Sequence, residues 1–249
     1  MPDKREHRGP HPKDRQLFAA SAIARLQQAA HDFSLLLSRS YNSDSALKFV
    51  GDHFQLEQRQ RLALARACCS DAQKGSRVAK KCTLAELGGR PVSVDGFNAL
   101  ITLEAALGGG IVLCSRDNSH RDLASVHGTY KHVSETGRAI DLLCDTLTKA
   151  APASVCIYLD SPVSNSGRLA GMLRAKIASQ ELGWQVELVR NADREVIGVG
   201  RVVASSDAWV LDAAEAWLDL PGELLQTALR QTWLVDFRDN AGEPNENLS

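Results

Sequence analysis

The chain has 249 residues, 44% of them hydrophobic and 24% charged, which supplies a sizeable globular core and excludes a disordered or fibrous chain. No apolar run nears the roughly 20 residues that cross a bilayer, no signal core follows the polar first residues, and the six cysteines lack zinc-ligand spacing; a cytoplasmic protein is expected. The net charge of −1 hides an asymmetry, since residues 1–81 carry 15 Lys/Arg against 8 Asp/Glu and residues 82–249 carry 14 against 22. A basic front half joined to an acidic back half suggests a binding module beside a cation-dependent site; the plain alternative is a set of solvated helix faces.

Residues 1–13 are charged and contain proline and histidine, which predicts a disordered tail. Asp14 opens a helix to about residue 40, with Phe18, Ile23, Leu26, Phe33, Leu36 and Leu37 at helical spacing. Helices over 45–50 and 57–69 complete a small all-α domain over 14–72. Residues 73–81 are polar, basic and glycine-containing and read as part of a linker over 73–89, in which 82–87 suits helix or strand equally. From 90 to 238 the pattern alternates. Strands are expected over 92–95, 111–114, 155–160, 184–189, 200–205 and 217–220, and helices over 98–107, 136–148, 167–182, 207–216 and 221–230, before a polar tail over 239–249. Alternating strands and helices predict an α/β domain with a parallel sheet.

Three strands end in an aspartate: Val92-Ser93-Val94-Asp95, Val155-Cys156-Ile157-Tyr158-Leu159-Asp160 and Val202-Val203-Ala204-Ser205-Ser206-Asp207. In an open α/β sheet those ends share the ligand-binding rim. Asp212 follows five residues after Asp207. Crowded carboxylates repel and are made tolerable by a hard cation with oxygen ligands. Asp95, Asp160, Asp207 and Asp212 are therefore the candidate metal ligands and catalytic groups, holding Mg²⁺ or Mn²⁺. The structural alternative is that each aspartate caps the helix it precedes.

Substrate contacts are expected nearby. Asn98 suits a metal-bound water or a phosphate oxygen, and Ser164, Asn165, Ser166 and Arg168 form a hydroxyl-rich turn before a helix, where phosphates bind. The long polar segment 115–132 offers Arg116, Arg121 and Lys131 for a phosphate backbone and Tyr130 for stacking on a base, with Asp117, Asp122, His120 and His127 beside them. No phosphate-loop, dinucleotide or serine-hydrolase motif is present.

Val94-Asp95-Gly96-Phe97-Asn98 and the Ser205-Ser206-Asp207 strand end followed by Asp212 resemble the PIN-like nucleases, in particular the NYN branch. The resemblance covers roughly 90–220. It implies a PIN-like (Rossmann-like) parallel sheet flanked by helices, metal roles for the four aspartates, and RNA as substrate. The Gly108-Gly109-Gly110 run and the 115–132 loop fall where a plain PIN domain has helices, and Glu104, Asp122 and Glu135 all compete for the expected helix acid. The whole chain also resembles an uncharacterised prokaryotic family of two joined domains of unknown function. That resemblance rests on Ser45-Ala46-Leu47-Lys48-Phe49-Val50-Gly51-Asp52, on 58–71, on Val94-Asp95-Gly96-Phe97-Asn98 and on 160–167. The leading expectation is a divalent-metal-dependent nuclease of RNA; the alternatives are a non-catalytic RNA-binding adaptor and a small-molecule phosphohydrolase.

Overall fold

The computed structural model describes residues 7–124 and 130–239. Its front part is helical: α1 (Asp14–Leu17), α2 (Ala20–Ser38), α3 (Ser43–His53), α4 (Gln58–Ala67) and α5 (Asp71–Ala79). The single helix expected after Asp14 is two, because Ala19 is extended and Phe18 at the break is buried in the core. Capping boxes start α4 (Glu57 with Gln60) and α5 (Ser70 with Gln73). The stretch read as a linker from 73 is thus mostly helix, its start signal being Ser70 and Gln73. Strand β1 (Lys81–Cys82) and a 3₁₀ turn (Leu84–Leu87) follow, so the ambiguous 82–87 stretch holds both kinds of structure.

The back part runs β2 (Pro91–Asp95), α6 (Gly96–Leu107), β3 (Ile111–Cys114), β4 (His120–Asp122), α7 (Thr136–Ala150), β5 (Ser154–Asp160), α8 (Ser166–Ser179), β6 (Gln185–Val189), α9 (Ala192–Val196), β7 (Val202–Ala204), α10 (Ala208–Ala213), β8 (Ala216–Leu218), α11 (Leu220–Thr227) and β9 (Trp233–Asp236). Six strands make one parallel sheet in the order β1-β8-β7-β2-β5-β6, so the α/β expectation holds. From β2 the chain moves outward through β5 and β6, then returns to β7 on the other side of β2. That return creates the crevice in which ligands bind in open α/β sheets.

Strand β3 stays out of this sheet. It pairs antiparallel with β4 and parallel with β9 in a separate three-stranded sheet. Helix α6 accounts for the separation. Its sequence is apolar nearly all round, and it is buried between the two sheets, touching β2 and β5 as well as β3 and β4. The main core joins α6, α7, α8 and α11 to one face of the large sheet, while Val196, Val203, Val210 and Ala214 form a smaller core under α9 and α10 on the other. The front helices share a third core with the small sheet, where Phe18, Leu26, Phe33 and Leu64 meet Ile111, Leu113, Val235 and Phe237.

The charge asymmetry is largely consumed between the two halves. Arg66 pairs with Asp122, Arg77 with Asp117 and Asp212, Lys74 with Asp239, and Lys81 with Asp219. Residues 7–13 belong to the same scheme rather than to a loose tail: Arg8 Nε lies 2.6 Å from buried Glu104, and His7 lies 2.8 Å from Glu135. Among the described residues, no helix is long and apolar enough to cross a membrane.

Candidate functional site

Parallel register sets the rim. Asp95 lies beside Tyr158 and Val94 beside Ala204, so β2, β5 and β7 end close together. Asp95 is only 4% exposed. Its Oδ1 accepts Asn98 N at 3.2 Å, capping α6, and its Oδ2 accepts the Ser205 hydroxyl at 3.0 Å. Asp207 caps α10 by accepting Trp209 N at 2.9 Å and Val210 N at 3.1 Å on Oδ1. Asp160 Oδ1 accepts Ala192 N at 2.8 Å, the first residue of α9. Asp95 and Asp207 therefore cap the helices they precede, as the structural alternative required, whereas Asp160 does not cap α8 and reaches instead to the first residue of α9. In Asp160 and Asp207, however, the second carboxylate oxygen has no hydrogen-bond partner among the described residues.

A fourth acid joins them. Asp193, in the first turn of α9, is half-buried, and among the described residues its carboxylate has no hydrogen-bond or ion-pair partner. Burial raises its pKa to about 6, with the charges of Asp207 and Asp160 adding to the rise. Burial likewise raises Asp95 to about 7; Asp193 and Asp207 push it further, against the hydrogen bonds from Asn98 and Ser205. Asp95 thus senses the charges of Asp193 and Asp207, and Asp193 those of Asp207 and Asp160. Sequence reasoning missed Asp193. The signal was the Val186–Val189 end of β6 followed by the cap Asn191, the same strand-then-cap grammar as at the other rim acids.

Asp212 does not belong to this group. It lies at the far end of α10 from Asp207, and Arg77 grips both its oxygens, at 2.7 and 2.9 Å, with the Gln73 amide at 3.2 Å. Its pairing with a buried arginine makes it part of the fold.

The substrate-contact candidates divide sharply. Asn98 Oδ1 accepts both the backbone N–H of Ser206 (2.8 Å) and its hydroxyl (3.0 Å), so the oxygen of this half-buried side chain fastens the chain just past β7. Arg121 is buried and donates to Ser206 O, Arg66 O and Asp117, leaving it no role as an open phosphate contact. Together Asn98 and Arg121 hold Ser206 from two sides, directly before Asp207. Arg116 is committed to Asp71, Asp239 and the Cys69 carbonyl. Tyr130 is 1% exposed and donates its hydroxyl to Glu104, so it cannot stack on a base. The carbonyl of Lys131 accepts from Arg8. His127 lies outside the described residues.

These placements share one cause. Much of the 115–132 segment, read as a long polar loop, is β4 and buried chain packed against α6, so most of its described polar groups are satisfied inward. In the turn after β5, Asn165 has left-handed backbone (φ 68°) and donates its amide to Tyr130 O at 2.8 Å, and the buried Ser166 hydroxyl faces Ser161 O. Ser164 and Arg168 remain exposed there.

A second polar constellation was not anticipated. His120 Nδ1 lies 2.6 Å from Asp219, which is 1% exposed, and His120 Nε2 lies 3.4 Å from Cys114 Sγ. Burial opposes charge on His120, but Asp219 and then Cys114 outweigh it and raise the pKa to about 10. Asp219 also accepts Gly222 N and so caps α11, tying the small sheet to the end of β8.

The donor chemistry of the aspartate rim suits a hard divalent cation, since every available group is a carboxylate oxygen. As positioned, the set does not close on an ion: among the described residues, no three His, Cys, Asp or Glu side chains converge as a ligand group. The free oxygens of Asp160, Asp193 and Asp207 are the groups that a cation would draw together. None of those three is held by a salt bridge among the described residues.

Comparison with known proteins gives a family and no chemistry. A family model described as "Domain of unknown function (DUF5616)" matches residues 84–223, and one described as "Protein of unknown function (DUF434)" matches residues 25–80. An uncharacterised protein of Methanocaldococcus jannaschii is 38% identical over 187 residues, spanning 75% of this chain and 88% of that one. No solved structure matches.

Proposed function

The chain belongs to the family described as domain of unknown function DUF5616, and from the chemistry of its own rim we propose that it is a divalent-metal-dependent nuclease acting on RNA. The supporting observation is the placement of Asp95, Asp160, Asp193 and Asp207 along one rim beside β2, short of closing on an ion, with Asp95 raised to about 7 and Asp193 to about 6 by burial and partly by neighbouring carboxylates. Perturbed carboxylates in a cleft are functional candidates with a physical reason. A bound Mg²⁺ or Mn²⁺ would polarise a phosphodiester and supply hydroxide from bound water.

The chain's own residues prepare that site. Ser205 orients Asp95, while Asn98 and Arg121 fix the backbone from which Asp207 projects. Arg168, Arg190 and Arg194 are exposed at the start of α8, just past β6 and on α9, and supply positive charge for a phosphate backbone. The free cysteines suit a reducing, cytoplasmic compartment.

The test is cleavage of a labelled RNA in Mn²⁺ by wild type, Asp95→Asn, Asp207→Asn and Asp212→Asn. Product from wild type and Asp212→Asn, with none from the other two, supports the proposal. Undiminished cleavage by both rim variants refutes it. A second reading, a non-catalytic RNA-binding adaptor, draws on the full hydrogen bonding of Asp95; it predicts salt-dependent RNA binding and no product in any metal.

A further inference from the structure

We propose that Trp209 is a stacking platform for an unpaired nucleobase held beside the aspartate rim. The inference rests on the nucleolytic reading and adds to it a residue that selects the form of the substrate. Trp209 is the second residue of α10, and its backbone N–H donates to Asp207 Oδ1 at 2.9 Å, so its position is locked to a candidate ligand. The residue is 52% exposed. Among the described residues, no other ring and no cation lies on its face. The other tryptophans are accounted for: Trp217 is buried with its indole N–H on the Arg77 carbonyl, and Trp184 and Trp233 pack against cores.

Charge decides the kind of occupant. Arg168, Arg190 and Arg194 are exposed on the same rim and make no ion pair among the described residues, whereas Arg59, Arg61, Arg66, Arg77, Arg116 and Arg121 are committed to protein acceptors. An exposed indole on a rim that also carries exposed arginines without ion pairs among the described residues fits a ligand with alternating rings and negative charges. A single nucleic-acid strand has that form: phosphates meet the arginines, and one base lies on the indole. A base still paired in a duplex offers no free face, so the indole disfavours duplex. Tyr130, the ring singled out for stacking from the sequence, is buried, and Trp209 takes that role.

The experiment is binding of a short labelled RNA by full-length wild type, Trp209→Ala and Trp209→Phe, measured by fluorescence anisotropy in EDTA and again in Ca²⁺. Three probes are compared: the single strand, the same strand with one abasic position moved along it, and its duplex. Base–aromatic stacking predicts that Trp209→Ala weakens single-strand binding by about five- to a hundredfold, while Trp209→Phe retains most of it. One abasic position should weaken wild-type binding similarly and leave Trp209→Ala unaffected. Equal affinity of wild type and Trp209→Ala overturns the inference, as does an abasic effect of the same size in both. Failure of wild type to bind any probe in either condition overturns it too. Intact stacking without cleavage in Mn²⁺ would sustain this inference while refuting the nuclease.

Discussion

Replacing Asp95 by Asn separates the demands of the fold from those of the site. Asp95 is 4% exposed, and its pKa rises from 3.8 to about 7 on folding, first through burial and then through Asp193 and Asp207. The folded state therefore binds more protons than the unfolded chain between those values. Stability is fully retained below about 4 and falls as pH rises to about 7. At ~1.36 kcal/mol for each pH unit, the ionised carboxylate costs at most about 4 kcal/mol at pH 8. Asparagine removes that charge and keeps the Oδ1 acceptor for Asn98 N. Its amide, though, must donate to Ser205 Oγ, which already accepts Asp207 N at 3.1 Å. That crowding gives back part of the gain and leaves about 2 kcal/mol, or a Tm rise of about 4–8 °C for a chain of this size. Thermal and urea unfolding of both proteins in EDTA at pH 5 and pH 8 measures this. The variant should be the more stable at pH 8, with its advantage nearly gone at pH 5. A variant less stable at pH 8, or an advantage independent of pH, would refute the argument that the carboxylate is strained by its neighbours.

Arg77→Ala should destabilise the protein by about 3 kcal/mol, seen as a lowered urea midpoint, because it leaves buried Asp117 with Arg121 as its remaining cation beside the Ser119 hydrogen bonds, and releases Asp212. Asp212→Asn should lower stability without altering Mn²⁺ affinity, whereas Asp207→Asn should weaken Mn²⁺ binding at least tenfold; calorimetry with the two variants distinguishes a structural acid from a ligand. His120 is raised from 6.5 to about 10, so its pairing with Asp219 stabilises fully below about 6.5 and is lost as pH climbs toward 10. Chemical denaturation of His120→Asn between pH 7 and pH 10 should show a flatter profile than wild type, and an unchanged slope would contradict the pairing.

The strand ends were legible because apolar β-branched runs stop abruptly at Asp95, Asp160 and near Asp207, and parallel pairing then gathers such ends on one rim. Asp193 and β9 were less so: α9 is too short for a periodic pattern, and Trp233–Asp236 carries little alternation. Asp212 failed because helical spacing gives no sign that Arg77, more than a hundred residues earlier, closes on it. The 115–132 segment failed for the same reason. Arg116, Arg121 and Tyr130 look like substrate contacts in a list of residue types, yet long-range partners (Asp239, the Ser206 carbonyl and Glu104) turn each inward. Local pattern shows where a polar residue sits along the chain, and tertiary pairing decides whether it is free.

Direct binding of Mn²⁺ by calorimetry at pH 7 in two buffers of different ionisation enthalpy tests the carboxylate rim most closely. With Asp95 near 7 and Asp193 near 6, a cation must displace protons. The account predicts saturable binding to wild type, a buffer-dependent heat that reports proton release and shrinks at pH 8.5, and loss of both in Asp95→Asn. No Mn²⁺ binding by wild type, or binding without proton release that Asp95→Asn retains, would contradict it.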